Sequence, residues 1–226
     1  MLSIITAIYN LYDMNRLYYE SLKKYTFHPF ELIIVDNGST DGSVEYFESK
    51  PEVKVIKNNG NYSYPYCQNV GISHARFDWL VFMNNDIVVS KDWDKHALEI
   101  MQQQNLDIAT CVATDRTETD QSTYLSRKRW KRIRIPLLTL FGPRKWNLEL
   151  MQRLMYGNWE TFTRNRFQTF GNNISLGISG SNVILSRKGL NLLGKWDERI
   201  QSADFDIFLR ASKRSVEHGD IRPAQL

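Results

Sequence analysis

The chain has 226 residues, 42% hydrophobic and 24% charged, a globular composition that excludes an intrinsically disordered segment and fits one domain, with or without an insertion. Its longest apolar runs, such as Ile4–Ile8 and Pro136–Phe141, are too short to cross a bilayer, and no charged-then-apolar leader opens it, so the expected compartment is the cytoplasm. The net charge of +4 is local in origin: eight positive residues and no acid lie between Arg127 and Lys145, and the remainder is net acidic.

Leu2–Tyr9 (LSIITAIY) is apolar and β-branched and reads as a first strand. Asn10 can cap the helix that follows, where Leu11, Met14, Leu17, Tyr18 and Leu22 recur at helical spacing. Glu31–Val35 is a second strand, and its nearly unbroken apolar run is that of a strand covered on both faces, which favours parallel pairing. A short helix over Ser43–Ser49, a strand over Val53–Ile56 and a helix over Tyr66–Ala75 follow. Next come a strand over Trp79–Met83, a helix capped by Ser90 and running to about Gln103, and a strand over Asp107–Ala113. This alternation predicts a Rossmann-like α/β fold: an open, mostly parallel sheet flanked by helices, with ligand chemistry at the carboxyl ends of its strands.

From 114 to 173 the rhythm breaks into a basic, Trp-, Arg- and Leu-rich stretch that reads as a partly helical insertion. Order returns with a strand over Gly180–Leu185, a helix over Arg187–Leu193 and a last helix from about Asp204 to Ser215. A single domain of 1–226 is therefore divided into a first half (1–113), the insertion (114–173) and a last half (174–226). Cys67 and Cys111 have no metal-type spacing and read as buried or idle thiols.

Two predicted strand ends deliver acids. After the second strand, Asp36-Asn37-Gly38-Ser39-Thr40-Asp41-Gly42-Ser43 packs small polar groups around glycines. Asp36 can bind a ribose hydroxyl or a base N–H, or it can simply close an Asx-turn, and Thr40 or Asp41 can cap the next helix. After the fourth strand, Asn84-Asn85-Asp86 is either a polar turn or a seat for a hard cation such as Mg²⁺ or Mn²⁺. Late in the chain, Asp204 and Asp206 stand near a helix start, where the helix dipole favours carboxylates and where one of them can act as a general base.

The spaced set of these pieces resembles the family 2 glycosyltransferases of the GT-A fold. The resemblance is carried by Tyr9-Asn10, Val35-Asp36-Asn37-Gly38-Ser39-Thr40-Asp41-Gly42-Ser43, Asn58-Asn59-Gly60, Asn69-Val70-Gly71, Asn84-Asn85-Asp86 and the late Asp197-Glu198 with Asp204, Asp206 and Arg210. It covers Leu2 to about Val89 and Gly177 to Arg210, and leaves the insertion unmatched. It implies an inverting transferase that moves a sugar from a nucleotide-diphosphate donor, UDP first and dTDP next, to a hydroxyl of a saccharide or lipid-linked glycan. It implies Tyr9 and Asp36 at the base and ribose, with Asn37, Asn58, Asn69 and Asn85 also nucleotide-binding and Asp41 shaping its turn. Asp86 matches the last acid of the family's DxD motif, which holds a divalent metal (Mn²⁺ or Mg²⁺) on the diphosphate. Asp204 matches the general base, while Gly180, Trp196, Asp197, Glu198, Asp206 and Arg210 would position donor or acceptor. The setting it implies is synthesis of a bacterial-type surface polysaccharide or lipid-linked glycan.

Some positions depart from that pattern. Asn84 replaces the first DxD acid, a variant met in rhamnosyltransferase-like members; Ala203 stands where Glu commonly precedes the base; Ala7 replaces Pro or Thr. Relatives continue past the last helix and can supply a metal-binding histidine there, so the last half is expected to be truncated, with His218 as its only histidine.

The basic stretch Ser126–Leu138 is a solvated helix face, an anchor to an anionic membrane surface (127–141) at the inner face of the cell membrane, or a grip on an anionic saccharide. Rival functions are a catalytically silent nucleotide-sugar binder, for which Asn84 and Ala203 argue, and a polyanion- or nucleic-acid-binding protein acting through 127–134. No stacking motif, zinc site or helix-turn-helix pattern accompanies the basic stretch, so nucleic acid is not an expected partner.

Overall fold

A computed structural model of the chain describes residues 1–113, 117–171 and 173–226. One seven-stranded sheet runs β3-β2-β1-β4-β6-β5-β7, with β1 Leu2–Ile8, β2 Phe30–Asp36, β3 Val53–Lys57, β4 Trp79–Met83, β5 Ile108–Thr110, β6 Asn182–Ser186 and β7 Pro223–Gln225. Strands β1 to β4 are mutually parallel where they pair, β5 and β7 are parallel to each other, and β6 runs antiparallel to both β4 and β5.

The unbroken apolar runs are explained by cover on both faces. Alternate residues of β2 and β4 enter different cores. Leu32, Ile34, Val81 and Met83 meet Tyr18 and Leu22 of α1 (Tyr12–Tyr25), Phe47 of α2 (Ser43–Glu48) and Met101 of α4 (Trp93–Gln103). Ile33, Val35, Leu80 and Phe82 meet Cys67 and Ile72 of α3 (Tyr64–His74), Leu190 of α8 (Arg187–Leu193) and Ile207 of α9 (Ala203–His218).

The stretch between β5 and β6 is more helical than its composition alone indicates. Helix α5 (Asp120–Phe141) is opened by a capping box between Thr119 and Ser122, and α6 (Lys145–Tyr156) and α7 (Trp159–Phe170) follow. Asn147, fully buried, donates to Leu137 O and Gly142 O and so ties the end of α5 to α6. Helix α6 rests on α1 through Lys145, whose N–H donates to Asp13 and whose Nζ lies 2.6 Å from Glu20. Helix α7 docks through Trp159 Nε1, which donates to Val89 O, and through Phe167 stacked on His96. Thr114–Arg116 and Asn172, at the two ends of the predicted insertion, lie outside the described residues.

Two local expectations change. Helix α4 starts at Trp93 behind Asp92 in the left-handed region, so Ser90 is not its cap. The last helix runs on to His218, and the chain then adds β7 beside β5, with Pro223 opening an edge strand where its missing N–H is tolerated. Three residues are too few to show a period of two, and so β7 is silent in the sequence. Among the described residues no helix is long and apolar enough to cross a membrane.

Gly71 sets the closest approach of α3 to the sheet, because a Cβ there would lie 2.2 Å from Ile5 Cγ2 in the middle of β1. Gly71→Ala is expected to destabilise the fold by about 1–3 kcal/mol through overpacking. Urea unfolding should show a lower midpoint at an unchanged slope.

Candidate active site

Three strand-end turns are laced together by polar side chains. At the end of β1, Asn10 (φ 54°) and Leu11 (φ 67°) are both left-handed. That strained pair is held from the turn after β2: Asn10 N–H donates to Ser39 Oγ, and Asn10 Oδ1 accepts from Thr40 N–H. Asp41 bridges the same gap, accepting from the first amide of α1 (Tyr12, 2.8 Å) and from both the amide and the hydroxyl of Ser43. Desolvation pushes the Asp41 carboxyl up, but these donors outweigh it and hold the group below its ordinary value. Asn10 does not cap α1 as expected, since its side chain is engaged by the Thr40 amide; Asp41 instead takes the first amide of α1 from across the gap as well as that of α2 in its own loop.

The hub is Asn15, 0% exposed in the first turn of α1. Its amide donates to Asn10 O and Ser43 Oγ at 2.9 Å each, and its carbonyl accepts from Asn85 Nδ2 at 2.8 Å. Sequence reasoning passed over Asn15, although an amide on the apolar face marked by Leu11, Met14, Leu17 and Tyr18 is the signal that would have found it.

The expected nucleotide residues divide by what their side chains touch. Tyr9 stands exposed beyond the end of β1. Asp36, 2% exposed, closes an Asx-turn, accepting from Gly38 and Ser39 N–H at 3.0–3.1 Å around Gly38 at φ 90°. Asn37 is engaged internally, donating to Tyr62 O and accepting from Asn58 Nδ2 and Cys67 Sγ. Asn58 therefore acts as part of the same clamp on the loop 59–62. Burial raises the Cys67 thiol, as it does Cys111 (to about 12), so neither cysteine is an activated nucleophile. Asn69 holds Trp196 by two backbone hydrogen bonds and donates to Glu198 Oε1 at 2.7 Å.

A second group gathers where β4 meets β6. Because β6 is antiparallel, its start lies beside the carboxyl end of β4: Met83 pairs with Asn182, and Asn84 N–H donates to Ser181 O. This brings Gly180 to Asn84-Asn85-Asp86. Asp204 reaches the same place from the first turn of α9, so close that a Cβ on Gly180 would lie 2.7 Å from Asp204 Oδ2 and 2.9 Å from its Cβ. Asp86, Gly180 and Asp204 line one cavity of about 1400 Å³, roofed by α5 and α7. The Tyr64 hydroxyl also lines it, buried and without a hydrogen-bond partner among the described residues; burial, and secondarily the nearby Asp204 charge, raise its pKa. Tyr64 was not singled out from sequence, where it looks like one aromatic among many.

The other late residues are engaged elsewhere. Asp206 lies two positions beyond Asp204 and hence on another side of α9; it forms a two-pronged pair with Arg210, which also donates to Leu193 O. Asp197 forks onto Arg199, whose hydrogen bonds bring its pKa down to about 2. Trp196 is buried edge-on against Phe82 and Tyr64. His218 ends α9 in solvent, away from the cavity lining.

A model of glycosyl transferase family 2 matches residues 3–191. The chain belongs to glycosyltransferase family 2. It is 33% identical to the uncharacterized glycosyltransferase YibD of Escherichia coli over 116 residues, half of this chain and 33% of that protein. Among solved structures it is similar to the mannosyltransferase PcManGT from Pyrobaculum calidifontis in complex with GDP-Man and Mn²⁺ (TM-score 0.60, 13% identity, 98% of this chain and 53% of that one). S. aureus TarS in complex with UDP is a further fold neighbour (TM-score 0.57, 18% identity, 100% of this chain and 57% of that one). At these identities the likeness is one of fold, and that fold is the GT-A architecture. The chain spans about a third of the length of the E. coli relative and just over half of these solved chains.

Among the described residues no cluster of three or more acids, histidines or cysteines could hold a metal by itself. A family 2 chain with an exposed carboxylate, Asp86, on the cavity does fit a metal that arrives on a diphosphate, because Mg²⁺ and Mn²⁺ accept one or two protein carboxylates plus phosphate oxygens.

The Gly180–Asp204 contact has a direct test. Gly180→Ala is expected to destabilise the chain by about 1–3 kcal/mol by overpacking. That penalty should fall in an Asp204→Gly background, where both the crowded carboxylate and its Cβ are gone, and a double-mutant cycle of urea unfolding measures the difference.

Proposed function

We propose that this chain is the catalytic domain of an inverting glycosyltransferase that moves a sugar from a nucleotide-diphosphate donor to a hydroxyl of a saccharide or lipid-linked glycan. The observation that carries this reading is the meeting of Asp86 and Asp204 on one cavity at the carboxyl ends of the sheet, with Gly180 leaving room for the second carboxylate. The fold neighbours support the donor class, one being in complex with GDP-Man and Mn²⁺ and others with UDP or UDP-GlcNAc. UDP is the nucleotide we expect here and dTDP the next.

Asp204 is the general base. Its carboxylate takes the proton of the acceptor hydroxyl as that oxygen bonds to the anomeric carbon from the face opposite the leaving group, and the bond from that carbon to the diphosphate oxygen breaks. The nucleoside diphosphate leaves with both electrons of the broken bond, so no covalent enzyme intermediate forms. Asp86 would hold a divalent metal on the diphosphate, and the chemistry such a metal supplies is neutralisation of charge on the leaving group. The turns laced by Asn15 and Asp41 fix the frame in which the donor sits, and Tyr9, exposed at its edge, is placed to cover a base.

The test is thermal stability with UDP, dTDP or GDP, each with and without Mn²⁺, because a ligand of the folded state raises the melting temperature by mass action. One nucleotide should stabilise only with metal, and Asp86→Ala should remove the metal-dependent part. Asp204→Asn should keep that stabilisation while sugar turnover falls at least about a hundredfold, the scale of a lost general base. Stabilisation that ignores metal, or full turnover by Asp204→Asn, overturns these assignments.

A further inference from the structure

The basic helix α5 does not present its charge evenly. The cavity is lined by Arg127, Trp130, Arg134 and Leu138, which recur at helical spacing along one stripe, whereas Lys128, Arg129, Lys131 and Arg132 are absent from the lining. Arg164 of α7 lines the same cavity. The insertion's acids on this cavity are already engaged: Glu118 pairs with Arg166, which also sits over Phe162 and Phe170, and Glu160 lies 3.0 Å from Lys24. Arg134 and Arg164 have no ion-pair partner among the described residues, and both are exposed to the cavity. Asp86, Gly180 and Asp204 line the same cavity.

We infer that this stripe is the acceptor subsite and that the acceptor is an anionic glycan, one that carries phosphate or carboxylate groups along its length; the inference rests on the transferase reading above. Guanidinium forks fit phosphate and carboxylate oxygens in pairs, while an indole face fits the apolar face of a sugar ring. An Arg-Trp-Arg order along a helix puts both contacts on one line. Arg127 and Arg134, seven positions apart, are about 10 Å apart along the axis, enough to reach charges on successive parts of a chain. A neutral acceptor would leave Arg134 and Arg164 without partners in a site that excludes water as it fills, which is how the stripe selects. An acceptor held on α5 and α7 lies in the cavity that Asp204 also lines, where the base must meet the hydroxyl.

The test is binding of fluorescent oligogalacturonate (carboxylate), short-chain polyphosphate (phosphate) and a neutral dextran oligosaccharide of equal length, each in the presence of saturating UDP and Mn²⁺. The wild type should bind at least one polyanion about tenfold or more tighter than dextran, with affinity falling as salt rises. Whichever polyanion binds names the charged group. Arg134→Gln/Arg164→Gln should lose about tenfold of that affinity, and Lys131→Gln/Arg132→Gln, which removes the same charge from the other side of α5, should not. Nucleotide stabilisation with Mn²⁺, read on the same samples, should be unchanged in both variants, so a failed donor reading shows there independently. No preference for either polyanion overturns the inference. So does competition between the polyanion and UDP–Mn²⁺, which would place the arginines on the donor. Equal loss in the two variants also overturns it, as does tight binding to phosphatidylglycerol vesicles that only Lys131→Gln/Arg132→Gln abolishes; that last result would assign the charge of α5 to a membrane.

Discussion

A single buried amide decides whether the strand-end turns share one frame. Asn15 is sealed from water and yet satisfies a carbonyl after β1, a hydroxyl at the start of α2 and an amide after β4. A buried polar network of this kind is costly when any member is missing and rigid when complete. Its strength is needed, because Asn10 and Leu11 hold left-handed backbones that cost on the order of 1–3 kcal/mol each unless the surroundings over-determine them. Asp41 adds the second lock by capping α1 from the opposite loop. The turn that carries Asp36 and the turn that carries Asp86 therefore cannot drift independently.

The second constraint is one of direction. A purely parallel sheet would bring only strand ends to this edge. Reversing β6 instead brings the start of a strand there, so that the residues before it, Ser179 to Ser181, meet the residues after β4. Helix α9 then enters with its first turn against Gly180, and the absence of a side chain at that glycine is what admits Asp204. Two carboxylates far apart in sequence come to one cavity through an antiparallel pairing and a missing Cβ.

Much of the sheet was legible in the amino-acid order because strands covered on both faces must be apolar throughout, and the bounds of β4 and α8 agree with the expected residues. The direction of β6 was not legible, since Asn182–Ser186 is equally apolar whichever way it runs. Side-chain roles were the least legible. Asn37 and Asn58 in strand-end turns and Asn69 in α3 belong to motifs that look built for a ligand, yet each uses its amide to hold backbone or a neighbouring side chain. A short polar motif states what hydrogen bonds are available without stating where they go. Asp206 and Arg210 make the same point, because an i,i+4 pair of opposite charge closes on itself whenever no ligand competes. The insertion was recognisable by charge, but not the sorting of that charge into a stripe on the cavity and a remainder away from it, which needed the helix phase relative to α6 and α7.

The cavity is lined by arginines of the insertion and by Asp86 and Asp204, and its size gives that arrangement a consequence. In an open space of about 1400 Å³, water screens the arginines from Asp86 and Asp204, so neither set neutralises the other while the site is solvated. As donor and acceptor displace that water, the local dielectric falls and each charge depends more strongly on the partner brought by its ligand. Asp86 gains from a metal carried on a diphosphate; Arg134 and Arg164 gain from anions on an acceptor. A bound pair with complementary charges completes both sets together, whereas a neutral molecule in either place leaves a desolvated charge unmatched. On the proposed reading, discrimination between substrates therefore sharpens as the cavity fills, and it resides in the insertion that the sheet itself does not require.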